Sequence, residues 1–208
     1  MLEWSENSCA YDAMLSIIYN CWRENPNLWS EQFNVGSEYM VHLCHSFNNV
    51  ANGVAHLNGV HDTFRRLLEH DWLRQCAWGV STSIHFLLKQ LFKSPDHAVV
   101  STIACPKGQT TNRAEVLPSN CCISVPLDCV NIQEFVNNME IQLASVCQVC
   151  SEPLVRRYSF ISMPKILIFD LSTHVPQLAD VIMISTDRGM VKYQLKGVIL
   201  YNNDHFMS

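Results

Sequence analysis

The hydrophobic period changes once along this chain, and that change restricts the fold more than any other feature. Over residues 9–92 the apolar positions recur at three and four. Ala10, Met14, Ile17, Ile18 and Cys21 share one helical face, as do Phe64, Leu67 and Leu68, and then Ile84, Leu87, Leu88 and Leu91. This spacing predicts about four helices. Asn25-Pro26 ends the first of them, because the residue before a proline is pushed out of the helical region. From Val99 onward the pattern becomes short β-branched runs between turn residues, at 99–103, 122–125, 156–161, 166–171, 181–185 and 191–200, and these predict strands. One helix interrupts them: Asn131, followed three residues on by Glu134, resembles a capping box opening the amphipathic run 132–143. The expectation is an α+β fold in a single domain over 1–208, with a helical lobe over 1–95 followed by an antiparallel sheet over 96–208. In such two-lobed chains active sites often lie between the lobes.

Composition narrows the function classes. The 208 residues are 48% hydrophobic and 16% charged, enough apolar surface for one sizeable core. The net charge is −5 and the 14 Lys and Arg are spread thinly, leaving no basic stripe to follow a phosphate backbone, so a nucleic-acid partner is excluded. The longest apolar stretch, over 14–18, lies between Asp12 and Asn20 and falls short of a membrane span. Glu3 and Glu6 stand where a basic leader would be. These readings place the protein inside the cell, in cytoplasm or nucleus, away from membranes. The ten cysteines then read as reduced buried thiols, a metal site and a nucleophile rather than as disulfides. The start at Met1-Leu2 and the end at Met207-Ser208 read as those of an excised domain.

Cys9 falls in the first turn of the first helix, with Asn7 and Ser8 as candidate caps ahead of it. A thiol there feels the positive end of the helix dipole, which raises its thiolate fraction. The unsatisfied N–H groups of that turn can stabilise an oxyanion. His205 follows the polar turn of Asn202, Asn203 and Asp204 beyond a strand, held by the sheet yet reachable, as a general base must be.

Glu6-Asn7-Ser8-Cys9-Ala10-Tyr11 is similar to the Gly-Asn-Thr-Cys-Tyr box of the ubiquitin-specific proteases. Tyr193-Gln-Leu-Lys-Gly-Val-Ile, followed by His205-Phe206, resembles their Tyr-x-Leu-x-Gly-Val-x and Gly-His-Tyr box. Between these, Met163-Pro164-Lys165-Ile166-Leu167-Ile168-Phe169 resembles the family's Leu-Pro-x-x-Leu strand, and Ser124-Val125-Pro126-Leu127 its Ser-Leu-Pro segment. The order, Cys first and His last, also fits. The resemblance implies a papain-like cysteine peptidase fold with Cys9 as nucleophile and His205 as base, needing no cofactor for catalysis. It also implies partners among ubiquitin, ubiquitin-like modifiers and the proteins that carry them.

The departures matter equally. The family's oxyanion asparagine, five residues before the nucleophile, is replaced by Trp4, which leaves Asn7 or backbone N–H groups for that role. Asp204 stands in place of the glycine before the catalytic histidine, and the third catalytic residue would fall beyond Ser208. Cys147-Gln-Val-Cys150 falls where the family places the second cysteine pair of its zinc fingers, while the first pair reads Cys105-Pro-Lys-Gly108. Cys105, Cys147 and Cys150 would thus hold a structural zinc within a reduced finger region over 105–150. Cys121, Cys122 or His97 would be the fourth ligand. A decayed site with leftover thiols and a redox dithiol are the other readings.

Weaker signals read as filler. Cys44-His45 cannot face one partner at consecutive helical positions, and Asp170 and His174 form at most a local pair. Trp22, Trp72 and Trp78 read as core. The expected function is a thiol isopeptidase acting on the tail of ubiquitin or a SUMO-like modifier. The alternatives are a catalytically inactive module that binds the modifier, and a zinc-organised scaffold in which Cys9 is a core thiol.

Overall fold

A computed structural model describes residues 7–93, 99–109, 113–117, 122–171, 175–186, 188–202 and 205–207. The chain divides into two compact units, one formed by the segment up to Lys93 together with that from Lys196 onward, the other by Ser94–Leu195.

The first unit is helical: α1 (Cys9–Glu24), α2 (Pro26–Asn34), α3 (Glu38–Ala51), α4 (Leu57–Asp71), the one-turn α5 (Leu73–Cys76) and α6 (Ile84–Leu91). Where about four helices were expected from periodicity, six are described, because α2 is short and mostly exposed and α5 is a single turn. The break at Asn25-Pro26 falls as expected. Asn25 ends α1, its side chain accepts from Leu28 N at 3.2 Å, and Pro26 opens α2. The core is the shared apolar face: Met14, Leu15, Trp22, Leu43, Phe47, Phe64, Leu68, Leu87 and Leu91 are all fully enclosed. Trp22 is core as expected, and Trp72 packs against its margin. Trp78 is instead 37% exposed and lies beneath the Arg65 guanidinium, 4.1 Å from its ring centre.

The unit is completed by a hairpin from the far end of the chain, β9 (Leu200–Asn202) antiparallel to β10 (His205–Met207), with Phe206 opposite Tyr201. Ile199 and Phe206 pack against the helical core, β10 lies against α1, and Lys196 Nζ meets Glu24 Oε2 at 2.5 Å.

The second unit holds β1 (Val99–Ala104), β2 (Arg113–Leu117), β3 (Cys122–Ser124), α7 (Ile132–Asn138), β4 (Glu140–Val146), β5 (Pro153–Phe160), β6 (Ile168–Asp170), β7 (Val181–Thr186) and β8 (Gly189–Gln194). The mixture of helix and sheet agrees with the α+β expectation, but one continuous antiparallel sheet does not form. Strands β2-β1-β5-β4 make a four-stranded antiparallel sheet, β7 and β8 a hairpin, and β3 and β6 a parallel pair with Ile123 opposite Phe169. The run 191–200 is likewise no single strand: β8 stops at Gln194 and β9 starts at Leu200.

Asn131 does cap α7, accepting from Gln133 N at 2.8 Å and Glu134 N at 3.3 Å. The helix nevertheless ends at Asn138 rather than 143. Met139 adopts the left-handed conformation (φ 53°, ψ 37°) and turns the chain directly into β4. The core joins Val99, Ile123, Ile132, Phe135, Val136, Ile182 and Ile184. Among the described residues no helix is long and apolar enough to cross a membrane.

Candidate functional site

Cys9 is the first residue of α1 and is partly exposed. His205 is the first residue of β10 and is exposed. They stand nearly at opposite ends of the chain, yet both belong to the helical unit, because Phe206 anchors β10 in that unit's core and β10 lies on α1. Side-chain alternation along β10 gives His205 the opposite side from Phe206. Trp4 and Asp204 lie outside the described residues.

Neither expected cap serves α1. Asn7 has φ 60°, and its Nδ2 donates to the Gly79 carbonyl at 2.7 Å. That bond uses one of the donors expected to serve an oxyanion. Ser8 is the residue before the helix and fully buried, but its backbone is itself helical (φ −80°, ψ −6°) and its side chain makes no capping bond. Its Oγ donates instead to Asp12 Oδ2 at 2.5 Å.

Asp12 belongs to a buried polar group that sequence reasoning passed over. His61 on α4 is 2% exposed; its Nε2 lies 3.2 Å from Asp12 Oδ1 and its Nδ1 2.9 Å from Asp62 Oδ1. Among the described residues neither Asp12 Oδ1 nor His61 Nε2 has an aligned hydrogen-bond partner. Burial pushes the Asp12 carboxyl up, against the opposing pull of the Ser8 hydroxyl, His61 and Arg65. Arg65, also 2% exposed, lies 5.1 Å from the Tyr11 ring centre, and Tyr11 Oη is hydrogen-bonded to Thr82 Oγ1 at 3.1 Å. A signal existed: His61, Phe64, Arg65 and Leu68 follow core spacing on α4, so two of these four core positions carry ionisable groups that require buried partners.

In the second unit Cys105, Cys147 and Cys150 come together, their sulfurs within 4.8 Å of one another and close enough to hold a metal ion. Cys105 follows β1 in a turn closed by Gly108 N to Cys105 O at 2.9 Å, where Gly108 has φ 67°. Cys147 and Cys150 lie in the turn between β4 and β5, closed by Ser151 N to Cys147 O at 2.9 Å and Cys147 N to Glu152 O at 2.8 Å. Because β1 and β4 flank β5, both turns fall at one end of the sheet. Lys107 Nζ ties them together through Glu152 Oε1 at 2.5 Å. Cys105 Sγ lies 3.4 Å from Cys150 Sγ. The backbone N–H groups of Gln109 and Lys107 point at the Cys105 sulfur and draw that thiol down to about 7. Such N–H contacts suit metal-bound thiolates. Cys121 and His97 lie outside the described residues, as does the side chain of Cys122. The filler readings fare differently: Cys44 is buried in the helical core and His45 exposed, whereas His174 lies outside the described residues.

No family model matches the chain, and no curated protein matches it. Among solved structures it is similar to one described as the Ubp8-Sgf11-Sgf73-Sus1 SAGA DUB module, with 13% identity and a TM-score of 0.41, over 88% of this chain and 50% of that one. A second SAGA DUB module with a shortened Sgf11 is similar at 14% identity and a TM-score of 0.25, over 84% of this chain and 33% of that one. The chain thus spans half the length or less of these two chains.

Proposed function

We propose that this chain is a papain-like thiol isopeptidase that cleaves after the C-terminal tail of ubiquitin or a ubiquitin-like modifier. The observation that carries this reading is the grouping of Cys9, opening α1, with His205, opening β10, in one compact unit. It agrees with the ordered boxes of the sequence. His205 removes the Cys9 proton, which requires a ring nitrogen to come within hydrogen-bond reach of Sγ. The thiolate attacks the scissile carbonyl carbon and the C–N bond breaks as the imidazolium returns its proton to the leaving amine. Water, deprotonated by His205, then hydrolyses the thioester. The first-turn N–H groups of α1 face the oxyanion, with Asn7 as a side-chain donor through its remaining amide hydrogen. A zinc ion on Cys105, Cys147 and Cys150 would brace the two turns of the finger region without entering the chemistry.

The test is turnover of ubiquitin and SUMO tails carrying a fluorogenic leaving group. The expected result is release on one of them, reduced at least about a hundredfold by Cys9→Ala and by His205→Ala. Equal release by the parent and Cys9→Ala contradicts the reading. A second reading, an inactive module that binds the modifier, is favoured by the engagement of Asn7 with Gly79; tight binding of the modifier without turnover would establish it.

A further inference from the structure

A solvent-open cavity of about 560 Å³ lies in the helical unit where α3 begins and α4 ends. Glu38, Tyr39 and His42 of α3 line it together with His70 and Asp71 of α4 and Trp72 just beyond. Its fixed charges have one sign. Glu38 and Asp71 are carboxylates, both exposed, and among the described residues no lysine or arginine lines the cavity. Burial lowers the pKa of His42, so that ring is neutral at neutral pH. Asp71 occupies the last turn of α4, where the helix dipole disfavours an acid, yet it is held firmly. Tyr39 Oη donates to its Oδ2 and His70 Nδ1 to its Oδ1, each at 2.8 Å, while Trp72 Nε1 donates to Tyr39 Oη at 2.9 Å. Burial pushes the Tyr39 hydroxyl up to about 12, so it keeps its proton for Asp71. One donor at each oxygen pins the plane of the carboxylate and leaves each oxygen a further lone pair.

We propose that this cavity takes the guanidinium of an arginine side chain presented by a partner polypeptide, with Asp71 as the bidentate acceptor and Glu38 as the second negative charge. A tie between α3 and α4 explains the Trp72–Tyr39–Asp71 chain, but not the open space beside it flanked by a second acid. A guanidinium fits this setting on three counts. Its planar fork matches a carboxylate whose plane is fixed. Its weak hydration suits a cavity walled partly by Tyr39 and Trp72. A cation before Asp71 also lies at the negative end of α4, where it offsets the dipole's opposition to the acid. A metal ion is a poorer occupant, because among the described residues only Cys105, Cys147 and Cys150 bring three metal-ligating atoms together. The proposal is independent of Cys9 and of the peptidase reading.

The experiment follows the indole N–H signal of Trp72 by NMR, assigned through Trp72→Phe, while N-acetyl-arginine amide is added to the full chain at low salt. A saturable shift in the millimolar range is expected. N-acetyl-citrulline amide, the same shape without the charge, should bind at least about tenfold more weakly, and N-acetyl-lysine amide at least about threefold more weakly. Asp71→Asn keeps an acceptor for Tyr39 but removes the charge, and should weaken arginine binding at least about fivefold. Glu38→Gln, a change at an exposed residue, should weaken it about two- to fivefold. Free arginine, whose own carboxylate meets the two acids, should bind no tighter than the capped form; tighter binding would assign the cavity to the free amino acid and overturn the partner assignment. Absence of a saturable shift, equal binding of the citrulline or lysine amide, or arginine binding unchanged in Asp71→Asn and Glu38→Gln overturns the proposal. The arginine–citrulline comparison is made on the parent protein, so it decides the matter even where Asp71→Asn fails to fold.

Discussion

At Gly197 an added Cβ would lie 2.5 Å from Cδ1 and 2.6 Å from Cγ1 of Ile17. The side chain of α1 thus packs on bare backbone where the chain returns to the helices. Gly197→Ala should destabilise the protein by about 1–3 kcal/mol, as forced overpacking does, and a denaturant titration measures it. An Ile17→Ala change in the same background should recover part of the loss. Asp12 gives a pH prediction. Its carboxyl is raised in the folded state, so the folded chain binds that proton more readily than the unfolded one. Stability from this group is therefore present at low pH and falls as pH rises from the ordinary carboxylate value through the raised one. Relative to Asp12→Asn, the parent should lose stability over that interval; a constant difference would contradict the assignment. At this scale the sequence was legible where a residue acts locally, as with Asn25, Pro26 and Asn131. It was not legible where two polar residues can each choose between partners: Ser8 reads as a cap, and only the fold shows that Asp12 takes its hydroxyl.

Among the elements, α7 meets β7 both in the shared core and through the Gln133 side chain. Gln133 Nε2 donates to Met183 O at 2.9 Å and its Oε1 accepts from Met183 N at 2.8 Å, so a glutamine amide supplies what a neighbouring strand would. Gln133→Ala leaves both backbone groups of Met183 without that partner and should cost about 1–3 kcal/mol by thermal or denaturant melting. The two turns that carry Cys105, Cys147 and Cys150 give a metal prediction. The purified protein should contain one zinc per chain by elemental analysis, and the ion should protect these thiols from alkylation. Because zinc binds the thiolate, protons compete with the ion for these sulfurs, and zinc should be lost progressively as pH is lowered. Unchanged thiol reactivity after chelation would show that no ion binds. The strands at 99–103 and 181–185 were legible because their apolar runs end in clear turns. Strand β4 was not: Val136, Met139 and Leu143 continue a helical spacing past Asn138, and the left-handed Met139 that breaks it leaves no mark in the pattern. β2 was missed because Arg113 and Glu115 interrupt a short apolar run.

For the whole molecule, the hydrophobic period changes near residue 95, and the two compact units divide after Lys93 and again after Leu195. The return of Lys196–Ser208 to the helical unit could not be read from local pattern, since it depends on Ile199 and Phe206 finding a core formed by residues at the other end of the chain. Only the resemblance between the last box and a catalytic histidine segment hinted at it. That return brings His205 into the unit that carries Cys9, and we propose that the two act as a nucleophile and its base. The most direct measurement is reaction of the chain with a ubiquitin or SUMO tail ending in a thiol-reactive group, with the modified peptide located by mass spectrometry. A single adduct is expected on Cys9, absent in Cys9→Ala and formed at least about tenfold more slowly in His205→Ala. Modification at another cysteine, or labelling of Cys9 at the same rate in His205→Ala, would contradict it.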